Sequence, residues 1–190
     1  MNGLSITING GVHSNTNFEA NCSILTIKSF CNSVLPPMFN TGLNYLDKDT
    51  QIVEPIEIPD CLQEIRGCLQ GTAISIGSEL INENDEQLRI YGDNVTMTND
   101  IYSNKTLLID SPNTFVTDDS NGILVCSEGD IIIRSSSVDF KGIIYAPNGT
   151  VTIESSKFNL HGRIIAKNIV YKGSIFIGET FDGDLNLLIK

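Results

Sequence analysis

The chain has 190 residues, 41% hydrophobic and 18% charged, enough for one folded domain and outside the composition of disordered segments. Twelve basic residues stand against 23 acidic ones, for a net charge of −11, which excludes the clustered cations that nucleic acid or an anionic membrane surface would demand. No apolar run reaches the roughly 18 residues that signal a membrane-spanning helix, so no membrane insertion is expected within this segment.

The start, MNGLSITING, has no basic region leading into an apolar stretch and reads as a strand already under way. The expectation is a module excised from a larger protein, with any export signal or anchor outside it. Residues 4–34 read as one or two divergent coils: ITI, GVHS, NFEA and ILTI are short strand candidates between polar corners. Residues 35–87 break this grammar and are expected to form a non-repeat insertion, opened by the rigid LPPMF. Within it, PDCLQEIRGCLQG predicts an α-helix over residues 60–70. Pro59 and Asp60 start it, Cys61, Leu62, Ile65, Cys68 and Leu69 form its apolar stripe, and Gly71 ends it. NENDE (82–86) is a charged loop, and residues 88–117 return to short strands.

The clearest pattern follows. Gly122, Gly142 and Gly162 recur at equal spacing and are followed by ILVC, IIYA and RIIA. The fourth residue is small each time: Cys126, Ala146 and Ala166. DIII, TVTI and NIVY come next, then SVDF, KFNL and SIFI, with the last copy shortened at a corner. Three short strands per period of about 20 predict a solenoid. Alternation places Val138, Phe140, Phe158, Leu160, Ile175 and Ile177 inside, and Ser137, Asp139, Lys157 and Asn159 outside. In the first strand set, Leu124, Ile144 and Ile164 are placed inside. Ile123, Val125, Ile143, Tyr145 and Ile165 are nevertheless apolar on the opposite face. A sheet apolar on both faces wants a cover, and the inserted helix is expected to supply it. The tail, ETFDGDLNLLIK, is a candidate end cap, and an uncapped end coil would invite self-association.

GGVHSN, the Pro59–Asp60 helix start and GIIYAPNGTVTI…GRIIAKNIVYKGS resemble the right-handed β-helical domains of bacterial surface and pilus-associated proteins, and more distantly the polymer-forming bactofilins. The repeat and the insertion predict a single all-β domain over 1–190, a right-handed parallel β-helix with one inserted α-helix packed on an outer sheet, and the resemblance agrees with that architecture. The resemblance also implies an extracellular or cell-surface location and a non-enzymatic structural or adhesion role, and it brings no catalytic residues. The expected partners are a cell-surface glycan or protein, or a second copy of the chain. Polysaccharide binding or degradation is the alternative function, and a scaffold self-assembling end to end is a further one.

The residues themselves suggest little chemistry. No cofactor is expected, since no G-x-x-x-x-G-K phosphate loop occurs. No metal site is expected either. Asp118, Asp119 and Asn121 in DDSNG come nearest to calcium ligands but lack the spacing and distal Glu of an EF-hand loop, so a solvated corner is the expectation. His13 and His161 adjoin turns, where a corner role is expected. Cys126, in the column of Ala146 and Ala166, reads as a buried free thiol. Cys61 and Cys68 lie about 10 Å apart along the expected helix and cannot pair with each other there. Cys22 and Cys31 are left open to pairing with each other or with the helix. A lyase would need a base and a cationic clamp on one sheet, whereas Arg134, Lys141, Arg163 and Lys167 form no compact cluster in the sequence.

Overall fold

The structure, a computed structural model, describes residues 1–55, 57, 62, 80–117 and 122–180. The strands in chain order are β1 (Asn2–Ile8), β2 (Val12–Ser14), β3 (Glu19–Ile27), β4 (Cys31–Ser33), β5 (Met38–Leu46), β6 (Gln51–Ile52), β7 (Leu80–Glu83), β8 (Gln87–Tyr91), β9 (Asn94–Met97), β10 (Ile101–Ser103), β11 (Thr106–Thr117), β12 (Ile123–Ser127) and β13 (Ile131–Glu179). The fold is an all-β parallel β-solenoid. Among the described residues, β7 against β8 is the one antiparallel pairing between these strands.

Short apolar runs alternating with polar residues cannot bury themselves one coil at a time. Stacking coils at about 4.8 Å lets each add its inward side chains to a shared column. The order along the main sheet is β7-β8-β11-β13-β1-β3-β5, so spatial and chain order differ. Coils climb from Gln87 to Glu179, and β13 winds over itself on the way. Its end, Lys172 to Gly178, then pairs with Asn2 to Ile8 of β1. β3 and β5 follow, with Asn21 set on Asn2 and Asn40 set on Asn21. The chain thus begins inside the stack, and β5 and β7 lie at its opposite ends.

Phe115, Val138, Phe140, Phe158 and Leu160 are buried in the core, as alternation predicts for the last four. Aromatic rings stack along the column: Phe115 with Phe140 at 6.2 Å, and Phe158 with Phe176 at 5.5 Å and 17°. Tyr171 meets Phe176 edge-on at 5.3 Å.

Four expectations need correction. First, in the last coil Phe176 points inward while Ile175 is 39% exposed. The ring that stacks on Phe158 is Phe176, not a neighbouring isoleucine. A slip of one position inverts the faces of a strand. Second, β12 lies on β13 with Ile123 over Gly142 and Cys126 over Tyr145. Cys126 is therefore not in the column of Ala146 and Ala166. Ile123 and Val125 face the core, whereas Leu124 and Cys126 face outward into a second cluster with Tyr145. Third, the non-repeat insertion is shorter than 35–87, because β5 and β6 lie in register on β3 and β4 and β7 resumes at Leu80. Fourth, no inserted α-helix is seen among the described residues. The helix expected over 60–70 lies outside them apart from Leu62. That side chain is buried with Leu124, Cys126 and Tyr145, against Tyr102, Ile143 and Ile165.

Candidate functional site

Successive coils turn one face of the main sheet into a column of charges. Ile109, Ile133, Ile153 and Tyr171 are fully buried, so the residues that follow them point outward: Asp110, Arg134, Glu154 and Lys172. Their signs alternate along the stack. Arg134 Nε donates to Glu154 Oε2 at 3.1 Å, and Lys172 Nζ donates to Glu154 Oε1 at 3.2 Å. Arg134 lies in register with Asp110, which in turn accepts a hydrogen bond from the Arg89 guanidinium. Arg89 also sits 4.8 Å over the Tyr91 ring. Beyond Lys172 the register continues through Asn2, Asn21 and Asn40, and Asn21 Nδ2 donates to Asn2 Oδ1 at 3.1 Å.

Beside this column runs a shallow, open groove of about 490 Å³, lined by Arg134, Ser136, Glu154, Ser156, Lys172 and Ser174 among others. It brings together Arg134, singled out in the sequence, with Glu154 and Lys172, which were not. The Lys172 ammonium and then the Arg134 guanidinium hold the Glu154 carboxyl below its ordinary range, against an opposing desolvation effect. A general base or acid working near neutral pH needs the opposite, a carboxyl pushed upward. Glu154 already spends both oxygens on its neighbours, so the column is built to hold itself together.

Sequence reasoning missed a second recurring feature, a buried serine at the corner. Ser111 lies in register with Ser135, and both are buried, as is Ser155. Each hydroxyl donates to a carbonyl just ahead: Ser135 to Ser137 at 2.9 Å, Ser155 to Lys157 at 2.6 Å, and Ser111 to Thr114 at 2.5 Å. Ser33 and Ser103 do the same at other corners, at 2.6 and 3.0 Å. The signal was present in DSPNT, RSSSV and ESSKF, where a charged residue precedes Ser111, Ser135 and Ser155.

The remaining candidates are scattered. His13 Nε2 lies 2.8 Å from Asn15 Oδ1 in its turn. His161 sits between Glu179, at 3.2 Å, and Asp139, at 4.0 Å. Cys22, Cys31 and Cys126 are buried and free. Burial raises all three thiols, Cys126 to about 12. Cys61, Cys68 and the calcium candidates Asp118, Asp119 and Asn121 lie outside the described residues. Arg163 and Lys167 do not line the groove.

Gly122, Gly142 and Gly162 are structural. A Cβ on Gly142 would lie 2.0 Å from the Ile123 carbonyl oxygen, and one on Gly162 would lie 1.8 Å from that of Gly142. No curated protein and no solved structure matches the chain. A family match starts ahead of β7 and takes in every coil from β8 through β13. The chain belongs to the family described as Domain of unknown function (DUF7305), matched over residues 72–187.

Proposed function

We propose that this chain is a non-enzymatic structural module, a rigid β-solenoid segment of a bacterial cell-surface or pilus-associated protein. One observation carries the reading. The side chains best placed for chemistry, Asp110, Arg134, Glu154 and Lys172, are matched to one another along the stack, with Glu154 held ionised between two cations. Location outside the cell rests on the resemblance to bacterial surface β-helices. A right-handed coil fits the handedness of parallel crossovers within one sheet.

The test is turnover. The protein is incubated with neutral and uronate-containing polysaccharides, and release of reducing ends and unsaturated uronides is followed. No turnover is expected, from the wild type or from Glu154→Gln. Turnover abolished by Glu154→Gln would overturn the reading.

A second reading, adhesion to a cell-surface glycan, is favoured by the groove, where the Arg134 and Lys172 cations lie among the serines Ser136, Ser156 and Ser174. A glycan array probed with the protein and with Arg134→Ala tests it. Acidic glycans retained by the wild type and lost by the variant would make the module an adhesin.

A further inference from the structure

The two ends of the stack are built differently. At one end β7 lies antiparallel over β8, with Leu80 opposite Tyr91 and Glu83 opposite Leu88. That edge is only four residues long, and short edges resist further pairing. The other end is β5, nine residues long, and among the described residues its outer edge has no strand partner.

Register on β3 sets the faces of β5. Phe39, Thr41, Asn44 and Leu46 lie over the buried Ala20, Cys22, Leu25 and Ile27 and point inward. Met38, Asn40, Leu43 and Tyr45 point outward, and Met38, Leu43 and Tyr45 are 53, 53 and 57% exposed. The Thr41 hydroxyl donates to Asn44 Oδ1, as expected for side chains sharing a face. The alternation skips at Gly42, so β5 reads the same in both directions about its Gly42–Leu43 link. Phe39 matches Leu46 inside, Asn40 matches Tyr45 outside, and Thr41 matches Asn44 inside. Within β5 itself the charges and prolines that usually guard an edge strand are missing too. No residue of β5 is charged, in a chain carrying −11.

We propose that two copies of the chain join through β5 about a twofold axis. The two β5 strands run antiparallel, with Phe39 opposite Leu46, Asn40 opposite Tyr45 and Thr41 opposite Asn44. Self-complementarity of this kind is the requirement for an isologous interface. The pairing satisfies the open row of backbone donors and acceptors and covers the half-buried Phe39 and Leu46, which already pack against the core. It brings no like charges together within the strands. It closes at two copies, because the far end carries β7 in place of an open parallel coil. The inference rests on the structural-module reading and gives that module a partner: itself.

Size-exclusion chromatography with light scattering over a range of concentrations tests it, with far-ultraviolet circular dichroism as the check on folding. Both probe positions, Asn40 and Tyr45, are exposed. Wild type is expected to shift from monomer to dimer as concentration rises. Asn40→Lys with Tyr45→Lys places like charges opposite each other twice and is expected to raise the dissociation constant by about tenfold or more. Asn40→Lys with Tyr45→Glu places opposite charges there and is expected to keep the dimer. Four results would overturn the proposal: a monomer throughout, assemblies that grow past two copies, a dimer indifferent to the double lysine variant, or equal loss in both double variants. None of these touches the turnover and glycan assays, which judge the structural reading separately.

Discussion

At the scale of single residues, the recurring glycines are explained by coil-to-coil contact. Gly122 and Gly142 have φ of 76° and 130°, where a side chain is strained, and the backbone of the neighbouring coil fills the space a Cβ would need. Gly142→Ala is therefore expected to destabilise the fold by about 2–4 kcal/mol, read from urea unfolding. The interval was visible in the sequence. The reason for it, the backbone of the adjacent coil, was not. Cys126 makes the complementary point. Its thiol is buried among Leu62, Leu124 and Tyr145 and held up to about 12, so it is expected to resist alkylation at mildly alkaline pH until the protein unfolds. Mass spectrometry of its peptide, with and without denaturant, checks this. Burial also raises the Tyr171 hydroxyl to about 12. Both groups bind their protons more tightly when folded. Their contribution to stability is therefore full below the unfolded values, near 9 and 10, and is lost as pH rises toward 12. Thermal midpoints measured across that window are expected to fall.

At the scale of elements, a parallel stack sets each residue directly over its counterpart, so equal charges in one column would repel at about 4.8 Å. The chain answers with alternating signs at Asp110, Arg134, Glu154 and Lys172 and with asparagines at Asn2, Asn21 and Asn40. Glu154→Lys would set three cations in a row. It is expected to lower the thermal midpoint more than Glu154→Gln does, with the difference shrinking in high salt. Because the Glu154 carboxyl is held low, its contribution is present above the ordinary carboxylate range and fades as pH falls through its folded value. The corner serines act through the backbone. Ser155→Ala would leave the Lys157 carbonyl without its hydroxyl donor, at an expected cost of about 1 kcal/mol in chemical denaturation. Neither ladder is readable from one strand. Charged residues a full coil apart look scattered until the displacement between coils is known.

At the scale of the molecule, the order of coils in space is a rotation of their order in the chain. Residues 1–52 extend the end reached at Glu179, and the middle of the stack, β11 and β13, is built from the latter half of the sequence. In a solenoid each coil is held by its neighbours, so protection is expected to grade from the ends inward. Hydrogen exchange is expected to be slowest in β11 and the early part of β13. It should be faster in β5, and fastest there in the double lysine variant that leaves its edge unpaired.

What the sequence determined by itself was the coil: period-two apolar alternation, polar corners and evenly spaced glycines are local signals, each enforced by burial within a short stretch of chain. Most inward positions, from Val138 through Leu160, follow from that alone. Tertiary structure decided how coils meet. The offset from one coil to the next is not constant, because aromatic rings and corner backbones must fit across each junction. A change of a single position in that offset moved Leu124, Cys126 and Ile175 to the outer face. Tertiary structure also decided that β1 lies on the end of β13, since any coil with a matching inward column can sit on any other. Only packing across the whole chain selects among them.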